Sequence, residues 1–222
     1  MEQLFGHDKR IQAVLELSGD SFGSHRTAEK AGCISGNKQS LLRNVVERAK
    51  EVGTWISDIS SIVGEVIGNG QENDVFLSAD GTHVIKLNNF ALVPAEAKSF
   101  EGFVHRLASH NKLFPECAYT ILGFTCNADN EPCAILQQPY IKAIRYATDE
   151  EIDDFLEYKG YTVDMDDIWF DGQYEISDVK SSNVLVDSQG NLHFIDAVVN
   201  DTQISVAKIN KVSIKHPGKR TI

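Results

Sequence analysis

Apolar positions along this chain repeat with two different periods, and the change from one to the other marks its organisation. Near the N-terminus the spacing is helical. Leu41, Leu42, Val45, Val46 and Ala49 fall on one face of a predicted helix that Asn37 caps and Gly53 ends. A shorter helix is predicted over Arg10 to Leu17, and Ser18 to Gly36, rich in glycine and serine, reads as a loop. Beyond residue 60 the apolar runs shorten to strand length: Val75–Leu77, Val84–Leu87, Tyr119 to Phe124, Ala134 to Ile141, Val184–Val186 and Leu192–Ile195. Asp80-Gly81 and Asp187 to Gly190 supply the turns that fold two of these pairs into hairpins. Helical spacing returns after Pro94, where Ala97, Phe100, Val104 and Leu107 predict a helix through about Ser109. Thr148-Asp149-Glu150-Glu151 is a capping box, so the carboxylates from Asp149 to Asp154 belong to a helix start. The apolar face of the Leu41–Ala49 helix is expected to pack on the sheet that follows it, with a fragment of a neighbouring domain as the alternative.

The last hairpin carries chemistry. Asp178, Lys180, Asn183 and Asp196 bracket Val184–Val186 and Leu192–Ile195, and folding the hairpin brings Asn183 and Asp196 side by side. A hydroxyl attacking a nucleotide phosphate needs a carboxylate to orient it and accept its proton, which Asp178 supplies. The phosphates need a metal ion against their charge, and an amide oxygen from Asn183 with a carboxylate from Asp196 are hard ligands suited to Mg²⁺. A hairpin with acidic ends is the plainer reading of those residues taken alone.

Upstream, Gly68-Asn69-Gly70-Gln71-Glu72-Asn73-Asp74-Val75 has the spacing of a phosphate-covering glycine-rich loop, with Asn73 in the place of the third glycine. Asparagine tolerates the left-handed backbone region, so the loop is expected to keep its shape. Gly68, Gly70, Asn73 and Val75 are the candidate phosphate-covering positions. Lys86 lies among Val84, Ile85 and Leu87. An ammonium in an apolar strand is costly unless paired, and ATP phosphates would pair it.

In this order the segments GNGQENDVFLSADGTHVIKLNNF, SHNKLFPECAYTILGF, ILQQPYI and ISDVKSSNVLVDSQGNLHFID resemble a protein kinase fold. They are more closely similar to the serine/threonine/tyrosine kinase domain described in polyvalent proteins of phages and conjugative elements, over about Ile59 to Val199. The resemblance implies an α+β, two-lobed fold, with a small antiparallel-sheet N-lobe and a truncated helical C-lobe. The corresponding boundaries are an N-terminal helical extension over 1–58, an N-lobe over 59–141 and a reduced C-lobe with a basic tail over 142–222. It further implies Lys180 on the γ-phosphate and Glu101 as the helix glutamate that positions Lys86, with Glu96 as the alternative. At the adenine hinge, Pro139 lacks an N–H, so the carbonyl is assigned to Gln138 and the donor to Tyr140. The cofactors implied are ATP and magnesium. The implied acceptor is a hydroxyl of a protein or small molecule, with neighbouring domains of a larger polypeptide as further partners.

The departures narrow that expectation. Ile176 and Ser177 stand where protein kinases usually carry His and Arg, and Asp196 is followed by Ala197-Val198 rather than Phe-Gly. Control through a phosphorylated loop is therefore not expected, and the short remainder after Asp196 leaves no evident peptide-docking platform. Alternatives are a nucleotide-binding regulatory module without turnover, or nucleotidyl transfer by the same residues.

Composition adds bounds. The chain has 222 residues, 42% of them hydrophobic, and can bury a substantial core. A net charge of −11 argues against a general nucleic-acid surface. No stretch has the length of a membrane span or the apolar core of a secretory leader, so a cytoplasmic location is expected. Cys33, Cys117, Cys126 and Cys133 lack metal-ligand spacing and are expected as buried residues or free thiols. Asp164, Asp166, Asp171 and Glu175 approach a calcium-loop spacing, but Trp169 stands where that loop needs glycine. The segment reads instead as an acidic loop anchored by Trp169 and Phe170. Lys208, Lys211, Lys215, Lys219 and Arg220 form a basic tail, expected to be solvated.

Overall fold

Runs of alternating residues build the centre of the first of two compact units, Met1–Lys142 and Ala143–Ile222. A computed structural model describes residues 4, 8–17, 34–164 and 167–203. Cys33, Asp166, the basic tail and most of the expected Ser18 to Gly36 loop lie outside them.

In the first unit, strands β1 (Val63–Asn69), β2 (Asn73–Ser78), β3 (His83–Asn88), β4 (Thr120–Cys126) and β5 (Pro132–Pro139) form one antiparallel sheet in the order β1-β2-β3-β5-β4. The β2–β3 turn is tied by Asp80, whose Oδ1 accepts from Ser78 Oγ at 2.6 Å and Thr82 Oγ1 at 2.7 Å. Those donors hold its carboxyl down at about 2.

Alternation along β3 and β5 sends side chains to two different cores. Ile85, Leu87, Cys133 and Ile135 pack with Ile59, Ile62 and Phe76. Leu136 joins the larger core with Tyr119, Ile121, Phe124 and the N-terminal helices. Those helices are α1 (Lys9–Leu17) and α2 (Ile34–Val52). Leu41, Val45 and Ala49 of α2 are fully buried in that core, as the helical spacing predicts. Helix α2 starts earlier than the expected Asn37 cap, so Asn37 lies within it. Gly53 closes it at φ +74°, the left-handed conformation glycine adopts without cost.

Helix α3 (Glu101–Leu113) begins seven residues after Pro94 and ends beyond the expected Ser109. Residues 94–100 make turns instead. Phe100 and Phe103 close on Phe90 with ring centroids 4.8 and 5.1 Å away. The apolar spacing marks residues that are buried (Phe100, Val104) or partly buried against the core (Ala97, Leu107), but turn and helix contribute to it in succession.

Among its described residues the second unit is richer in strand than the expected helical C-lobe. It has one complete α-helix there, α4 (Asp149–Tyr158), a helical start at Thr202 and Gln203, and seven short strands. The expected capping box starts α4: Glu151 N–H donates to Thr148 Oγ1 at 3.2 Å, and Thr148 N–H to Glu151 Oε2 at 2.9 Å. Strands β6 (Ala143–Tyr146), β10 (Val184–Asp187) and β11 (Leu192–Phe194) form a three-stranded sheet in the order β11-β10-β6. Strands β7 (Thr162–Val163), β8 (Trp169–Phe170), β9 (Tyr174–Ser177) and β12 (Val198–Asp201) form a second, in the order β12-β9-β8-β7. Apolar runs of three or four residues bounded by turns are too short for a helix to bury a face, so they pair as strands. Trp169 anchors its loop by burial, whereas Phe170 is exposed and does not.

No helix among the described residues is long and apolar enough to cross a membrane. Cys117, Cys126 and Cys133 are free thiols, and burial pushes Cys117 and Cys133 up to about 12.

One close approach fixes how α2 leads into the sheet. Trp55 bridges Phe124 in parallel, and a Cβ on Gly123 would lie 2.7 Å from Thr54 O. Gly123→Ala is therefore expected to cost about 1–3 kcal/mol, read as a lowered urea midpoint. An unchanged midpoint would show that the backbone there yields freely.

Candidate active site

Two antiparallel ladders gather the acidic residues of the second unit. Pairing of β9 with β12 sets Ser177 opposite Val198, so Asp178 leaves one strand where Ala197 enters the other. Pairing of β10 with β11 sets Val184 opposite Phe194, and Ile195 N–H donates to Asn183 O at 2.9 Å. Asp178, Asn183 and the half-buried Asp196 thus sit at the ends of paired strands. Asp178 has φ +55°, a left-handed conformation that aspartate adopts more readily than most residues.

Asn183 holds that conformation. Its Nδ2 donates to Asp178 O at 2.7 Å and to Asp178 Oδ2 at 3.1 Å. With the amide nitrogen turned to Asp178, Oδ1 is the end presented to a ligand, beside a weak contact from Ser182 Oγ at 3.4 Å. An amide oxygen and the Asp196 carboxylate are the donor set Mg²⁺ accepts when phosphates complete its shell. Lys180 Nζ lies 2.7 Å from Asp178 Oδ1, both side chains about half exposed. Ile176, in the place of the usual histidine, is 0% exposed within the β9 core.

The hairpin that carries Asn183 and Asp196 is pinned at its far end. Asp187 accepts from the backbone of Gln189 and Asn191, from Asn191 Nδ2 at 2.9 Å, and meets His193 Nε2 at 3.1 Å. The Asn191 side chain, then His193, holds the Asp187 carboxyl well below the usual carboxylate range.

In the first unit, β1, the tip and β2 form the glycine-rich loop, with Gly68 opposite Val75 and Gly70 N–H donating to Asn73 O at 2.9 Å. Asn73 does not take the expected left-handed conformation. Among the described residues only Phe90, Asn130, Asp167 and Asp178 do so without being glycine. Asn73 opens β2, and its Oδ1 accepts from Asn88 Nδ2 at 2.9 Å.

Lys86 is buried, 4% exposed, on the face of β3 opposite Ile85 and Leu87. Its Nζ is 3.4 Å from Tyr119 Oη and 5.3 Å from the centre of that ring. Asn111 in turn fixes Tyr119: its Nδ2 donates to Tyr119 O at 2.7 Å, and Tyr119 N–H to its Oδ1 at 2.6 Å. Spacing alone did not mark Tyr119 or Asn111. A tyrosine and an asparagine flanking a strand carry no motif, and only their burial reveals them. Glu101 is the first residue of α3, half exposed, with Oε1 3.4 Å from His105 Nε2. Glu96 lies before the helix, exposed.

The strand register turns the backbone groups of the expected hinge residues toward β3. Tyr140 N–H donates to Thr82 O at 3.1 Å, so residue 140 still pairs with the chain leading into β3. With a period of two, the Gln138 carbonyl, opposite Val84, turns the same way. Its side chain donates to Cys117 O at 2.7 Å. The backbone groups turned the other way belong to Pro139 and Ile141, on the side where β4 pairs only as far as Thr120 opposite Gln137.

A model of the serine/threonine/tyrosine kinases found in polyvalent proteins matches residues 37–203. The chain belongs to that family. No curated protein matches it. The family match extends back into α2, so most of that helix, packed in the core of the first unit, lies within the matched span.

The depressed Asp187 carboxyl gives this kinase hairpin a pH signature. Stability from a lowered carboxyl is full above the ordinary aspartate value, about 3.9, and is lost as pH falls through the depressed one. Asp187→Asn is expected to be less stable at neutral pH, with the gap in urea midpoint closing as pH falls below about 4. A gap that stays constant through the acid range would contradict this.

Proposed function

We propose that this polyvalent-protein kinase transfers the γ-phosphate of Mg-ATP to a hydroxyl acceptor, with Ser, Thr or Tyr of a protein as the leading class. What supports the reading is the pair of ladders at whose ends Asp178, Asn183 and Asp196 stand, with Asn183 Nδ2 turned to Asp178. The first unit acts as the nucleotide-binding lobe and the second carries the catalytic loop.

Each residue then has a chemical part. Asp178 orients the acceptor hydroxyl and takes its proton as the acceptor oxygen bonds to the γ-phosphorus and the bond to the ADP oxygen breaks. Lys180, beside that carboxylate, offsets charge on the transferred group. Asn183 and Asp196 hold Mg²⁺, which when bound neutralises charge on the phosphates. Lys86 pairs with phosphate oxygens, held by Tyr119 rather than floating in solvent. Gly68, Gly70, Asn73 and Val75 form the roof over the phosphates. Adenine takes the Pro139 carbonyl and the Ile141 N–H, the groups that the strand register turns outward.

ATP labelled at the γ or at the α phosphate separates the chemistries. Label passing from γ, with Asp178→Ala lowering turnover about 10²–10⁴-fold, is the expected result. Asp196→Ala and Lys86→Met are expected to abolish it as well. Label passing from α would make the same residues a nucleotidyl transferase, and bound nucleotide with no transfer would make the domain a binding module.

A further inference from the structure

The tip of the glycine-rich loop is tied to the end of β3 by a cluster of side chains in which Asn88 and Asn89 have no part in the proposed reaction. Asn88 is 4% exposed, and every polar atom of its side chain is engaged. Its Nδ2 donates to Asn73 Oδ1 at 2.9 Å and to Glu72 Oε1 at 3.1 Å, while its Oδ1 accepts from Phe90 N–H at 3.0 Å. Asn89 adds a second row: its N–H donates to Glu72 O at 3.0 Å and its Nδ2 to Gln71 O at 3.2 Å. Gln71, Glu72 and Asn73 are therefore held from one side by two consecutive residues.

The other end of the tie is rigid. Phe90, at φ +59° and fully buried, is bent into the left-handed region and packs on Phe100 and Phe103 at the start of α3. A left-handed phenylalanine persists only where its surroundings over-determine it, and Asn88 Oδ1, which accepts from Phe90 N–H, is one of the groups that does so. The tip is thus coupled through Asn88 and Phe90 to the first turn of α3.

From this we infer that Asn88 is a positioning residue which, by holding Asn73 and Glu72, sets the glycine-rich loop at the height at which its backbone meets ATP phosphates. Asn73 does not imitate the missing glycine. It trades that residue's freedom for a hydrogen bond, so the loop is pre-set and the cost of ordering it is met in folding rather than in binding. The inference rests on the ATP reading given above.

The test is a calorimetric titration of the full chain with Mg-ATP and, separately, with adenosine. Two variants break the tie at different ends: Asn88→Leu, and Asn73→Gly, which restores the expected glycine at a half-exposed site and keeps the test open if Asn88→Leu does not fold. Lys86→Met serves as the control. The expected result is about tenfold weaker Mg-ATP binding in each tie variant, the size of one or two net hydrogen bonds, with adenosine binding unchanged. Equal weakening toward ATP and adenosine would mean a merely structural role and would overturn the inference, as would unchanged or tighter ATP binding by Asn73→Gly. If Mg-ATP binding ignores Lys86→Met, the ATP reading itself fails, a result separate from the failure of the tie alone.

Discussion

Asn183 donating to the carbonyl and carboxylate of Asp178 is the interaction on which the candidate chemistry depends. It closes the loop from Asp178 to Asn183, holds Asp178 at positive φ, and in the same act decides which end of the Asn183 amide is left to face a ligand. One side chain thus orients the residue that would accept a proton and the residue that would bind metal. Neither ladder alone would do this. The β9–β12 register places Asp178 near the chain leading from Asp196, and the β10–β11 register places Asn183 on the other side of it. A slip of one residue in either would turn the whole set to the opposite face.

The same sensitivity to register explains what could and could not be read along the chain. Hairpins with a turn dipeptide between alternating runs were legible: Asp80-Gly81 joins β2 to β3, and Asp187 to Gly190 joins β10 to β11. The capping box at Thr148 and the stop at Gly53 were legible because each is a local device with its own chemistry. The hinge was not. Choosing between Gln138 with Tyr140 and Pro139 with Ile141 needs the last paired residue of β5, and that is set by a partner strand some fifty residues away. The missing N–H of Pro139 points to Gln138 and Tyr140, the set that the ladder turns toward β3, because pairing runs one residue further than the proline suggests.

Buried polar residues were the other blind spot. Asn88, Asn111 and Tyr119 lie in segments that carry the family resemblance, and spacing gives none of them a role, yet each sits under 9% exposed with its polar atoms engaged around Lys86 or the glycine-rich loop. Burial makes such groups consequential, since an amide out of water must find partners or cost stability. The described residues of the second unit depart from expectation for a different reason. Expecting helices there carried over the architecture of larger kinases, while the short apolar runs themselves specify strands.

The claim most open to direct test is that folding alone presents Asn183 Oδ1 and Asp196 as a metal site for nucleotide. Manganese, which favours the same oxygen ligands, can be followed by its electron paramagnetic resonance signal as it is titrated into the chain with a non-hydrolysable ATP analogue. The wild-type chain should bind manganese in a nucleotide-dependent way, and both Asn183→Ala and Asp196→Ala should lose that binding while remaining folded. Equal nucleotide-dependent manganese binding by all three would contradict the site.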